Sequence, residues 1–212
     1  MFSYTTSNEL GGIFHVGTLD ISQKSNQSLE WNGLSVSNCP NTWKRICGCA
    51  GQTWQLIPNS SDSFLLYHDL DKDDLSEIKQ WAINAGYFTN AIEYRVYYYD
   101  DELEEERYFS FAQNEEQQAR EEYEWRTEED SNATRFEIIE DGLFPTDKLM
   151  QRSLVNVDVS MYLDIAVQLY AEEVLEINGI WWEDEFNPYA LSAPRGVIFN
   201  SHLEYFDAIP ID

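Results

Sequence analysis

The chain has 212 residues, 43% of them hydrophobic and 15% aromatic, and a formal net charge of −26. That aromatic content, seven tryptophans included, excludes a wholly disordered acidic tail, because burying rings offsets the entropy of ordering the chain. The charge excludes ordinary nucleic-acid binding through a broad basic face, opposes anionic membranes and attracts basic partners over about a Debye length.

No apolar run reaches the roughly 18 residues of a membrane-spanning helix, so a soluble protein with no membrane association is expected. The cysteines Cys39, Cys47 and Cys49 are odd in number and follow no signal-like apolar N-terminus, which predicts a reducing, cytoplasmic setting. With His68 they offer a conceivable zinc set. A Cys-x-Cys pair without a second matched pair is weak ground for one, and no metal is expected.

In chain order, Gly12 to Thr18 and Leu34 to Ser37 read as short strands separated by a loop rich in Ser, Gln and Asn. Pro40 precedes a short helix, Asn41 to Ile46, and Thr53 to Ile57 reads as a strand closed by the turn Pro58-Asn59-Ser60. Phe64 to Tyr67 is a buried run. Leu75, Ile78 and Trp81 recur at near-helical spacing after Asp73 and Asp74, whose charges suit a helix N-terminus. Ala91 to Tyr99 and Arg107 to Phe111 are strongly β-prone and predict a long hairpin across the acidic loop Asp100 to Glu106.

Asn114 to Glu129 then predicts a polar surface helix in which Arg120 can pair with Glu116 and Glu124, with Ala119, Tyr123 and Trp125 as its few apolar residues. Phe136 to Ile139 reads as a strand before a turn at Asp141-Gly142. The clearest helix spans Val159 to Ile177, where Met161, Ile165, Leu169 and Val174 mark one face. Asn178-Gly179 ends it, Ile180-Trp181-Trp182 forms a strand leading into Glu183, Asp184 and Glu185, and Asn187-Pro188-Tyr189 turns the chain into a closing strand, Ala193 to Phe199. The expected fold is one α+β domain over residues 1–212. It has a mixed or split central sheet, flanking helices and an acidic hairpin-helix insertion at roughly 94–132.

His15 and the Gly17-Thr18 pair stand on an apolar strand, a setting in which backbone can approach a ligand closely and an imidazole can bond a ribose hydroxyl. A satisfied core histidine is the plainer account of the same residues. The order of parts, a His-x-Gly-Thr strand, a Ser-bearing second strand and a late helix and strand headed by carboxylates, resembles the ADP-ribosyltransferases of bacterial toxin and defence systems. The resemblance implies NAD as cofactor, held by His15, Gly17 and Thr18 with Ser35 and Ser37. It also implies a catalytic role for His15 and a catalytic carboxylate supporting an oxocarbenium-like transition state, for which Glu183 is best placed and Asp184 and Glu185 compete. Arg195 suits either the NAD pyrophosphate, which a guanidinium fork fits, or an ion pair with the nearby acids. The activity implied is transfer of ADP-ribose to a macromolecular acceptor in a bacterial or phage conflict system.

A second class of function begins from the charge. Residues 100 to 130 hold 14 Asp or Glu against three Arg. Carboxylates at hairpin and helix spacings can imitate the phosphate rows of DNA, which carry one charge per about 1.7 Å of duplex. Such a protein needs no catalytic residue and binds a basic partner, whether an antitoxin, a chaperone or a nucleic-acid-binding protein, through 100–130. Ordinary solubility is the bland account of the same charge.

Overall fold

The computed structural model describes residues 2–20, 30–46, 51–101, 104–130, 132–184 and 193–211. Residues 21–29, expected as a loop, Cys47, Cys49, Glu185 and the expected turn at Asn187-Pro188-Tyr189 lie outside them. In chain order the elements are β1 (Tyr4–Thr5), β2 (Ile13–Val16), β3 (Leu34–Ser37), α1 (Pro40–Ile46), β4 (Thr53–Pro58), β5 (Phe64–Leu66), α2 (Lys72–Asn84), β6 (Phe88–Asp100), β7 (Glu105–Phe111), α3 (Glu116–Trp125), β8 (Ala133–Pro145), α4 (Asp147–Arg152), α5 (Tyr162–Glu173), β9 (Gly179–Trp182), β10 (Arg195–Ile198) and β11 (Phe206–Ile211). The α+β class expected from the sequence is the observed one.

The chain forms two compact units. The first comprises Met1–Ile78, Ser153–Asn156 and Val167–Asp212, the second Lys79–Arg152 and Val157–Ala166. The stretch expected as an insertion, 94–132, falls within the second. Among the described residues no helix is long and apolar enough to cross a membrane.

The first unit is built on an eight-stranded sheet in the order β1-β5-β9-β10-β3-β2-β4-β11. Only β5 and β9 run parallel; the other neighbours are antiparallel. Residues paired directly across strands share a face. Ile13 pairs with Leu56, Leu34 with Ile198, and Trp181 with Gly196, which also faces Val36. These side chains, with Phe64 and Phe206, pack into one apolar cluster. The opposite face is buried too, by Leu65, Ile180, Trp182 and Val197. Burial on both faces explains why β9 reads Gly-Ile-Trp-Trp without polar alternation. Trp181 is only 1% exposed, and truncating so deep a ring typically costs about 3–5 kcal/mol.

The second unit holds a three-stranded antiparallel sheet, β7-β6-β8, whose β6–β7 pair is the expected hairpin. On one face, Ala119 and Tyr123 of α3 pack against Tyr94, Val96, Phe111 and Phe136, so the helix expected to be polar is anchored by its few apolar residues. Two expectations are corrected. Asp141-Gly142 is not a turn: β8 runs straight through it, with a register shift opposite Ala91 and Glu93. A Cβ at Gly142 would lie 2.8 Å from the Glu93 Cβ and 3.0 Å from the Ala91 carbonyl oxygen, so glycine marks close strand approach there, not chain reversal. The helix expected over 159–177 begins as a 3-10 turn, Val159–Met161, capped by the Asp158 side chain on the Ser160 amide. It ends at Glu173, where the amides of Val174 and Leu175 both close on the Tyr170 carbonyl.

Candidate functional site

His15 is 8% exposed, and its two ring nitrogens are both occupied by backbone: Nδ1 lies 2.7 Å from the Ser35 carbonyl oxygen and Nε2 lies 2.9 Å from that of Thr18. The imidazole thus folds back over the end of its own strand. Gly17 has φ +121°, a region disfavoured for side-chain-bearing residues. Its amide donates to the Gln52 carbonyl and its carbonyl accepts the Trp54 indole N–H at 2.9 Å. The Thr18 hydroxyl accepts the Asp20 amide. The His-x-Gly-Thr element is a closed set of local hydrogen bonds joining β2, β3 and β4.

Ser35, Ser37 and Arg195 stand on the other face of the sheet. Because Phe14 pairs with Ser37, period-two alternation puts His15 on the face of Val36 and Trp181 and both serines on the reverse. The Ser37 hydroxyl, fully buried, donates to the Pro194 carbonyl at 2.6 Å and accepts the Cys39 amide at 3.0 Å. The Ser35 hydroxyl oxygen is buried without a hydrogen-bond partner. Glu183 is exposed, one residue beyond β9. β3 and β10 separate β2 from β9, a span of three strand spacings or about 14 Å. The residues to which the resemblance assigns NAD are therefore divided between two faces of one sheet.

What the structure does gather is a cluster around Arg195. Its Nε donates to Asp184 Oδ2 at 2.8 Å and its Nη1 to Glu30 Oε1 at 3.1 Å, while the guanidinium carbon lies 4.5 Å from the Trp182 ring centre. Arg195 and Trp182 are a direct cross-strand pair, so the stacking follows from register. His68 Nε2 approaches Asp184 Oδ1 at 3.8 Å. Of the two roles open to Arg195, the ion pair is the one present. Sequence reasoning missed Glu30, which is 165 positions from its partner and sits beside a polar loop. The available signal was an acid immediately before Trp31 and the buried strand that follows. Cys39 is free, and no group of three or more candidate metal ligands occurs among the described residues.

The second unit carries the acidic pole on β7, the β6–β7 connection and α3. Asp100 and Glu105 meet Arg107, Glu106 meets Arg135, Glu116 meets Arg120 and Glu122 meets Arg126. Hydrogen bonds from Arg120 and then from the Tyr94 hydroxyl hold the Glu116 carboxyl below the usual carboxylate range. Burial works against the Arg95 charge, but its hydrogen bond to Glu93 and the field of that carboxylate outweigh it and raise the pKa. The expected Arg120–Glu124 pair does not form. Asp101, Glu104, Glu124 and Glu128 are exposed and have no cation at ion-pair distance among the described residues.

No protein-family model matches the chain, and no curated protein or solved structure is found to be similar to it. The resemblance to ADP-ribosyltransferases rests on the motif residues alone.

Proposed function

We propose that the chain is a binding protein without catalysis, which docks a basic, nucleic-acid-handling protein through the acidic surface of its second unit and stands in for a phosphate backbone. One observation carries this reading. In a unit whose arginines are all engaged, the carboxylates of Asp101, Glu104, Glu124 and Glu128 remain exposed and uncompensated. Unpaired surface charge of one sign costs self-repulsion, and its gain is steering and register toward an oppositely charged surface.

The test is titration of the chain into a purified basic DNA-binding protein at rising salt, with duplex DNA as competitor. The expected result is salt-sensitive binding that excludes DNA. The set Asp101→Asn, Glu104→Gln, Glu124→Gln and Glu128→Gln weakens it and flattens its salt dependence. Affinity indifferent to both salt and neutralisation overturns the proposal.

A further inference from the structure

The second unit uses its own arginines in one recurrent way. Arg95 lies 4.7 Å from the Tyr108 ring centre and bonds Glu93; Arg135 lies 3.7 Å from that of Tyr97 and reaches Glu106 at 3.2 Å. Arg126 covers Tyr98 at 4.3 Å and Phe109 at 4.6 Å while bonding Glu122, and Arg120 lies 5.3 Å from the Phe136 ring while bonding Glu116. In each case a guanidinium rests on an aromatic face with a glutamate at its side. That is how a planar, weakly hydrated cation is held at a surface, and a compact ammonium ion fits it less well.

One ring on this surface carries no arginine, although acidic residues stand close to it. Tyr99, on the sheet face away from α3, is 42% exposed and directly opposite Glu106 across the β6–β7 pair. Among the described residues its side chain has no hydrogen bond, ring partner or cation partner. Tyr108, on the same face, is 49% exposed, and the uncompensated Asp101 and Glu104 flank the strand ends.

We infer that this face of the β7-β6-β8 sheet seats arginine side chains of the basic partner, with Tyr99, at the strand ends flanked by the uncompensated Asp101 and Glu104, forming the vacant seat. The occupant is an arginine-rich protein segment, chosen by charge complementarity and by the four internal examples. The inference rests on the reading of the chain as the acidic partner of a basic protein, which it sharpens into a preference for arginine over lysine.

Fluorescence anisotropy of labelled poly-arginine and poly-lysine peptides of equal length, titrated with the full chain, tests it. Wild type is expected to bind the arginine peptide at least about threefold more tightly, one surface cation–π contact in affinity terms. Tyr99→Leu keeps apolar bulk, removes the ring and touches no partner, so it should lower that preference and leave lysine-peptide affinity unchanged. Equal affinity of wild type for both peptides, or a preference that survives in Tyr99→Leu, overturns the inference and leaves the basic-partner reading standing. Failure of both peptides to bind at low salt overturns both.

Discussion

The Arg195 guanidinium lies 3.1 Å from the Glu30 carboxylate, and the two side chains retain only 14% and 10% of their exposure. Glu30 and Asp184 both meet this one cation. Arg195→Met should therefore destabilise the first unit by about 3–5 kcal/mol, since it removes a buried cation from two carboxylates, whereas Glu30→Gln combined with Arg195→Met should cost less. Urea unfolding of the three proteins decides. A double variant weaker than Arg195→Met alone would contradict the pairing.

The engagement of both His15 nitrogens with carbonyls makes its replacement a matter of stability. His15→Leu removes the ring N–H that one of the Ser35 and Thr18 carbonyls accepts in a neutral imidazole, at about 1–3 kcal/mol if that carbonyl stays buried. Added NAD should leave the melting temperature of the wild-type protein unchanged. A ligand-dependent rise, lost in Glu183→Gln, would restore the transferase reading, because a ligand that binds only the folded state raises apparent stability.

Burial pushes the Tyr162 and Tyr170 phenols up to about 12, and the hydrogen bond from Tyr170 to Glu77 acts in the same direction. Folded-state values above the unfolded value near 10 mean that the unfolded chain loses these protons first. Their stabilising contribution is complete below about pH 10 and is lost as pH rises toward 12. Urea midpoints should fall over that window, and less steeply in Tyr162→Phe. An unaltered slope in that variant would remove Tyr162 from the account.

Much of the fold was legible because local pattern and final environment agree. The β-prone runs around Tyr94 and Phe109 form the hairpin, and Pro40 opens α1. The reading failed where tertiary context decides. Asp141-Gly142 has turn composition, yet the close approach of Glu93 makes glycine a strand residue there. β11 went unread, although Phe206, Ala208 and Pro210 alternate with Asp207, Ile209 and Ile211 and pair in register with β4. Its proline disguised it, being tolerated only at a sheet edge. The site was less legible still. Alternation within Leu34-Ser35-Val36-Ser37 puts both serines on one side, but which side His15 shares depends on the Phe14–Ser37 register, which no local pattern encodes. The Glu30–Arg195 pair is a long-range product of folding.

The place of Pro210 bears on self-association. β11 is the outermost strand of its sheet, the position from which a second molecule could extend the ladder into a fibril. A proline in that strand withholds an amide donor, and Asp207 adds a charge that a stacked copy would have to face. At the border of the other sheet, β7 begins Glu105-Glu106-Arg107, every residue exposed. Both borders carry gatekeepers of the kind that keep a β-rich chain monodisperse at high concentration.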